Sequence, residues 1–286
     1  MTSVCATALL ASPSFALTQT IQYSDFADLS AFTLNGSATA LNAGGGVLFG
    51  GQKVLRLTDS NPNESGSAFL TNPIPLADAG GFRASFSTAF QFQITNPGGI
   101  SDNDGPGADG LCFVVQTVAN NVGATGGGIG YQGIPNSLGI EFDTYDNGVG
   151  VGDPNGNHLG IDLNGSVNSA ATALIDKRMN DGDLWNAWVD YNGATHDLEV
   201  RLTTDTTRPS APTLAYNTDL TAVLAQENAF IGFTSGTGSA WGQHDIRSWT
   251  FTNTYNPIGT TVPEPGSLAL LIGAIPTLIA VRRRRI

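Results

Sequence analysis

Apolar and polar residues alternate with a period of two through most of this chain, and between Leu17 and Thr261 no long segment carries the 3.6-residue period of an amphipathic helix. In RASFSTAFQFQI (residues 83–94), Ala84, Phe86, Phe90, Phe92 and Ile94 share one face, and Ser85, Ser87, Gln91 and Gln93 share the other. Successive side chains of a strand point to opposite sides, so such a segment has one apolar and one polar face. NAWVDYNGATHDLEVRL repeats the pattern as a predicted hairpin. Ala187, Val189 and Tyr191 lead to a turn at Asn192–Gly193, and Leu198, Val200 and Leu202 follow. LCFVVQTV, NAFIGFTS and RSWTFTN supply further strands. One-faced strands need a second layer to cover them. The expected architecture is all-β, with two antiparallel sheets packed face to face.

A chain of 286 residues is long enough for one large domain of this kind, and no internal repeat or composition break divides it. TDTTRPSAPTLAYN reads as a loop with a Pro-bearing edge. Acids outnumber bases 24 to 12, and four of the bases are Arg282 to Arg285. The body is therefore strongly acidic, which should repel nucleic acid and anionic membrane surfaces and attract cations. Cys112 in LCFVVQ reads as a small buried apolar residue. His196 falls in the hairpin turn and His244 ahead of the strand DIRSWTF. Both read as polar surface or capping residues.

The two ends read as addresses. VCATALLASPSFA is apolar and ends in small residues, as a secretory leader over residues 1–16 would. At the other end a Pro-Glu-Pro turn (Pro263 to Pro265) precedes a short apolar run and then four arginines. This order resembles the PEP-CTERM sorting signal of Gram-negative bacteria and places it over residues 258–286, leaving 17–257 as the folded domain. The resemblance implies an exosortase-type processing enzyme as a partner. It also implies transient anchoring by a transmembrane stretch, and delivery to the cell surface or extracellular matrix.

Chemistry concentrates in EFDTYDNGVGVGDPNGNH, residues 141–158. On a strand through LGIEFDTY, Leu138, Ile140 and Phe142 face one way, and Glu141, Asp143 and Tyr145 the other. Two carboxylates side by side repel unless a cation lies between them. The glycine-rich loop that follows can fold Asp153 and His158 back over them. Carboxylates with carbonyls suit Ca2+, and carboxylates with an imidazole suit Mn2+ or a similar ion. A pair of ions sharing Asp143 and Asp153 would use every ligand. A plain polar surface loop is the competing reading.

GIEFDTYDN…GDPNGNHLGIDLNGS resembles the metal-binding segment of the legume-type (L-type) lectins. The likeness continues in order through GADGLCFVVQ, GGGIGYQG, LWNAWVDYNGATHDLEVRLT and FIGFTSGTGSAWGQHDIRSWTF. It implies a concanavalin-like jelly-roll β-sandwich that binds glycans or exopolysaccharide through loops. Residue by residue, it implies a transition metal on Glu141, Asp143, Asp153 and His158. It implies calcium on Asp143, the Tyr145 carbonyl, Asn147 and Asp153. Asp109, after a cis Ala108–Asp109 peptide, matches the sugar-binding aspartate. An amide at Gly127 or Gly128, the Asn147 side chain, Tyr145 as an aromatic wall and the Trp241 loop complete the sugar site. The function implied is a secreted or surface-delivered carbohydrate-binding protein, not an enzyme, with homo-oligomers left open. Two other readings stand beside it. One is a sandwich-fold glycoside hydrolase using the acids of EFDTYD (Glu141, Asp143, Asp146), and the other is a structural matrix protein whose loops are stapled by metal.

Overall fold

The computed structural model describes residues 17–259 apart from 78–80, 82, 124 and 125. The leader and most of the C-terminal sorting signal lie outside these residues. Among the described residues no helix is long and apolar enough to cross a membrane.

The first half of the chain runs β1 (Thr20–Tyr23), β2 (Phe32–Gly36), α1 (Ser37–Leu41), β3 (Val47–Phe49), β4 (Gln52–Thr58), β5 (Ser65–Leu70), β6 (Ile74–Pro75), β7 (Phe86–Gly99) and β8 (Gly110–Gln116). It continues with β9 (Ser137–Asp143), β10 (His158–Leu163), β11 (Ala171–Leu174), β12 (Leu184–Asn192), β13 (Asp197–Thr203), β14 (Leu214–Asn217), α2 (Leu220–Leu224), β15 (Asn228–Gly236) and β16 (Ala240–Thr252). Two antiparallel sheets result, as expected. The back sheet has the order β14-β13-β12-β7-β16-β4-β3, with β1 also on β16. The front sheet has the order β11-β10-β9-β8-β15-β5-β2, with β6 on β15.

The alternation in residues 83–94 is realised. Ala84, Phe86, Phe90, Phe92 and Ile94 are all buried between the sheets. There Phe90 meets Phe142 edge-on at 5.7 Å and Phe233 at 5.1 Å, and Phe233 meets Trp249 at 5.3 Å. Each such ring contributes about 1.5–3 kcal/mol on full burial. A second, smaller core lies on the outer face of the front sheet, where Cys112, Val114, Phe69, Tyr131, Ile134 and Val167 pack together. The loop between β8 and β9 supplies Tyr131, whose hydroxyl accepts from Ser137 Oγ (2.8 Å) and from Gly165 N (3.1 Å). Residues of β8 and β9 are thus buried on both faces, which is why LCFVVQ is apolar throughout. Cys112 is free and buried.

Three local expectations change. The hairpin between β12 and β13 closes on Asn192↔Asp197, so its turn spans residues 193–196 and not a two-residue Asn-Gly pair. His196 takes the positive φ (62°), and Asn192 Oδ1 accepts from Ala194 N. Strand β9 ends at Asp143, because Asp143 Oδ1 captures the Tyr145 amide at 2.7 Å and turns the chain there. Tyr145 therefore leaves the alternation of Glu141 and Asp143. His244 is neither surface nor cap: it lies inside β16 and is fully buried.

Candidate functional site

The register of β9 against β10 builds the acidic cluster. His158 pairs with Asp143, and Gly160 pairs with Glu141. One ligand atom from each of Glu141, Asp143 and His158 lies within 4.8 Å of the other two, and all three residues are buried. Gly160 leaves room opposite Glu141: a Cβ there would stand 2.7 Å from Glu141 Oε2 and 2.3 Å from Ser169 Oγ, and both side chains would have to shift. His158 Nδ1 sits 2.9 Å from the Asn155 carbonyl, which can only accept, so Nδ1 carries the proton and Nε2 keeps its lone pair. Burial lowers the His158 pKa and favours the neutral ring that a metal needs.

The loop from 144 to 157 is pinned from several directions. Asp153 Oδ2 accepts from Asn147 N (2.7 Å), and Asp102 Oδ2 accepts from Asp146 N (2.9 Å). Asn157 closes the loop by donating to the carbonyls of Ile175 (2.6 Å) and Lys177 (2.8 Å) and accepting from Met179 N (2.9 Å). Asp153 is thereby held close enough to act electrostatically on Glu141, Asp143 and Asp109.

These acids are buried together, and no arginine or lysine is among the groups acting on them. Burial, then Asp153, pushes Asp109 up to about 7. Burial, with Asp146 adding, pushes Asp153 up to about 6. Glu141 is raised by burial and Asp143, and Asp143 by burial and Asp153. The sequence reading missed a fifth member. Asp162, two positions beyond Gly160 on the same face of β10, is raised by burial and Glu141, and its Oδ1 accepts from Ser169 Oγ at 2.6 Å. The signal was present in the 158–160–162 alternation; Ser169, on a loop, gave none. The donor set of carboxylates and one imidazole fits a divalent cation.

Asp109 stands at the start of β8, after a cis Ala108–Asp109 peptide. Its amide donates to Gly236 O (3.1 Å), and its carbonyl accepts from Thr144 N (3.0 Å). Its Oδ2 is buried with no hydrogen-bond partner. A Cβ on Gly238 would be in ordinary contact with Oδ2, at 3.6 Å. Of the two candidate glycines, Gly127 faces Asn147, with an added Cβ only 2.5 Å from Asn147 Nδ2, whereas Gly128 faces Gln132. Tyr145 is half-buried, and burial raises its phenol, with Asp102 and Asp109 adding to the effect. Trp241 pairs with Gly98 across β16 and β7, and its indole Nε1 would be 2.6 Å from a Cβ on Gly98. Gly238, in the turn before β16, also lies beside Asp109.

A glycosidase arrangement has poor support in this geometry. A nucleophile must touch substrate, yet Glu141 is 2% exposed. Asp146 lies beyond the end of β9, its Oδ1 accepting from Gly148 N.

The family profile described as "Legume lectin domain" matches residues 18–264. The L-type lectin-domain containing receptor kinase VIII.1 of Arabidopsis thaliana is 33% identical over 205 residues, covering 68% of this chain and 28% of that protein. A lectin-like protein of the same plant is 31% identical over 219 residues, 68% of this chain and 77% of its own length. Among solved structures, peanut lectin with a 9mer peptide superposes with a TM-score of 0.66 at 29% identity, covering 83% of this chain and 97% of that one. Winged bean acidic lectin complexed with methyl-α-D-galactose gives 0.67 at 28%, covering 82% and 98%. The chain spans 28%, 35% and 31% of the first three receptor kinases it matches, and the likeness is confined to their lectin domain.

Proposed function

The chain belongs to the legume lectin family, and from that premise we propose that it is a calcium-dependent lectin whose sugar site lies at Asp109. Its family makes it a carbohydrate-binding protein and not an enzyme. The observation that carries the finer reading is the Asp109 carboxylate. It is buried, one oxygen has no partner, and the charge acting on it is another carboxylate, Asp153. A carboxylate can accept from two neighbouring sugar hydroxyls at once. Asn147 and the Gly127 amide supply donors, and the Tyr145 ring offers a face to the apolar side of the sugar.

Glu141, Asp143, Asp153 and His158 would hold a manganese-like ion. Asp143, the Tyr145 carbonyl, Asn147 and Asp153 would hold calcium. When bound, the ions supply the positive charge that the carboxylates lack and tie the 144–157 loop to β9. Glycan-array binding by the full chain, with and without chelator, tests this reading. Galactosides belong among the first probes, since winged bean acidic lectin is seen with one. Binding in calcium, lost on chelation and weakened tenfold or more by Asp109→Ala, is the expected result. Unchanged affinity in Asp109→Ala places the sugar elsewhere. No glycan bound at all favours the structural-matrix reading.

Delivery to the cell surface or extracellular matrix rests on the order Pro-Glu-Pro, apolar run, arginines. Removal by an exosortase-type enzyme predicts a mature protein without Arg282 to Arg285. Intact mass of the native protein checks this, and recovery of the whole C-terminus in the inner membrane overturns it.

A further inference from the structure

Three polar side chains cross the interior of the sandwich outside the acidic cluster. His244 on β16, Thr58 on β4 and Ser235 on β15 are all 0% exposed. His244 Nδ1 lies 2.6 Å from Thr58 Oγ1, Thr58 Oγ1 lies 3.1 Å from Ser235 Oγ, and Ser235 Oγ donates to the Gly110 carbonyl at 2.8 Å. Buried polar groups in an apolar interior are costly unless satisfied, so a chain of this kind asks for an explanation. It ends beside Asp109. Gly110 is the next residue, paired to Asp143 on one side and Gly236 on the other.

We propose that His244, Thr58 and Ser235 form a one-way hydrogen-bond relay that positions the Asp109–Gly110 turn, and through it the sugar site; its effect on affinity rests on the lectin reading above. The direction follows from counting hydrogens. A carbonyl only accepts, so the single Ser235 hydrogen goes to Gly110. Ser235 Oγ must then accept from Thr58, and Thr58 must accept from His244 Nδ1–H. His244 Nε2 has no partner. In the other tautomer Nδ1 would accept from Thr58, and the one Ser235 hydrogen could not serve both Thr58 and the Gly110 carbonyl, so one link of the chain would be lost. That tautomer would also bury an unpaired Nε2–H. The ring is neutral throughout the useful pH range, because burial pushes His244 down to about 3.

His244, Thr58 and Ser235 are therefore positioning residues. They touch no sugar, and they bridge the back sheet to the front sheet at the residue after Asp109. The test uses the full chain loaded with calcium. Nitrogen-15 shifts of the His244 ring are expected to show Nδ1 protonated and Nε2 bare. Ser235→Ala is expected to move the Gly110 carbonyl and Asp109 amide resonances and to weaken glycan binding about threefold to tenfold, with metal content unchanged. Thr58→Val, isosteric but unable to donate, should do the same more weakly, and carries the test if Ser235→Ala does not fold. His244→Asn keeps a donor near the Nδ1 position and should stay within about twofold of wild type. A wild-type chain that binds no glycan refutes the lectin reading alone, since the ring tautomer and the Asp109–Gly110 resonances still judge the relay. An Nε2–H ring, or variants whose Asp109 and Gly110 resonances do not move, overturns the relay. Unchanged affinity with those resonances moved overturns its role in the sugar site.

Discussion

Among the described residues, buried acids occur on both sheets, and the two sheets treat them in opposite ways. On the back sheet Asp245 is fully buried and is gripped by Arg56 through Nε at 2.8 Å and Nη2 at 2.9 Å. Nearby on that sheet's outer surface, Asp190 pairs with Arg208, and Arg201 donates to Glu199 at 2.9 Å. At the front sheet Glu141, Asp143, Asp153, Asp162 and Asp109 crowd together, and the charges acting on them are other carboxylates, their own and that of Asp146. Similar burial gives a finished structure in the first place and an unmet demand for positive charge in the second. A guanidinium supplies that charge once and permanently; a site without one leaves it to be supplied from solution.

The largest effect should come from breaking a finished pair. Arg56→Ala leaves Asp245 buried and unpaired, which typically costs about 3–5 kcal/mol. For a domain of this size each kcal/mol lowers the melting temperature by about 2–4 °C. Calcium should not restore the loss, and thermal melts with and without the ion check that. A rescue by calcium would mean that the two places are not separate.

Chelation should come next and act only on the front cluster. An ion present at a hundred times its Kd adds about 2.7 kcal/mol to the folded state. Exhaustive chelation should therefore lower the melt by several degrees, and added calcium should restore it, in wild type and Arg56→Ala alike. An unchanged melt removes Asp143 and Asp153 as shared ligands.

The difference between the two places was partly legible in the sequence. Glu141 and Asp143 stand two apart on a strand whose other face is Leu138, Ile140 and Phe142, so their side-by-side placement follows from the period alone. Asp162 follows from the same rule. The relay could not be read, because β16 changes face once, after Ile246, and the partners of His244 come from two other strands. Its register slips between Trp241 and Gln243 and again between Ile246 and Ser248. His244 and Ile246 point inward before the second slip, and Trp249 and Phe251 point inward after it. A bulge inserts one residue and inverts every later assignment, and nothing in AWGQHDIRSWTF announces it. The first slip puts its extra residue on β7, so Trp241 and Gln243 keep one face of β16. The partner of Asp245 was invisible for another reason: Arg56 is 189 residues away in the chain.

A pH series should separate holo from apo protein by sign. Asp109 moves from 3.8 to about 7 and Asp153 from 3.8 to about 6, both first through burial. A carboxyl raised on folding holds its proton in the native state after the unfolded chain has lost it. Between about pH 4 and 7 the apo native state binds more protons, so apo stability falls as pH rises. With calcium the slope reverses, since protons compete for the ligand oxygens and stability rises with pH. Melts at about pH 5 and about pH 7.5, in chelator and in calcium, read both slopes. Equal slopes would mean that no ion titrates against these acids.

The smallest effect should come from Asp162→Asn. Asp162 is not among the expected metal ligands, yet it shares Ser169 with the cluster: Ser169 Oγ stands 2.6 Å from Asp162 Oδ1 and 3.2 Å from Glu141 Oε2. Its own Oδ2 is buried with no donor facing it. Asparagine has nearly the same shape, removes one charge and adds an N–H beside the Glu141 carboxylate. The apo protein should therefore gain stability at neutral pH by less than about 1 kcal/mol, because one repulsive neighbour is gone. The same change at Asp245 would loosen Arg56 and lose stability. Opposite signs for one substitution at two equally buried aspartates are what the presence or absence of a guanidinium predicts. A loss at Asp162 as large as the loss at Asp245 would show that Asp162 has a partner of its own and does not belong with the unneutralised acids.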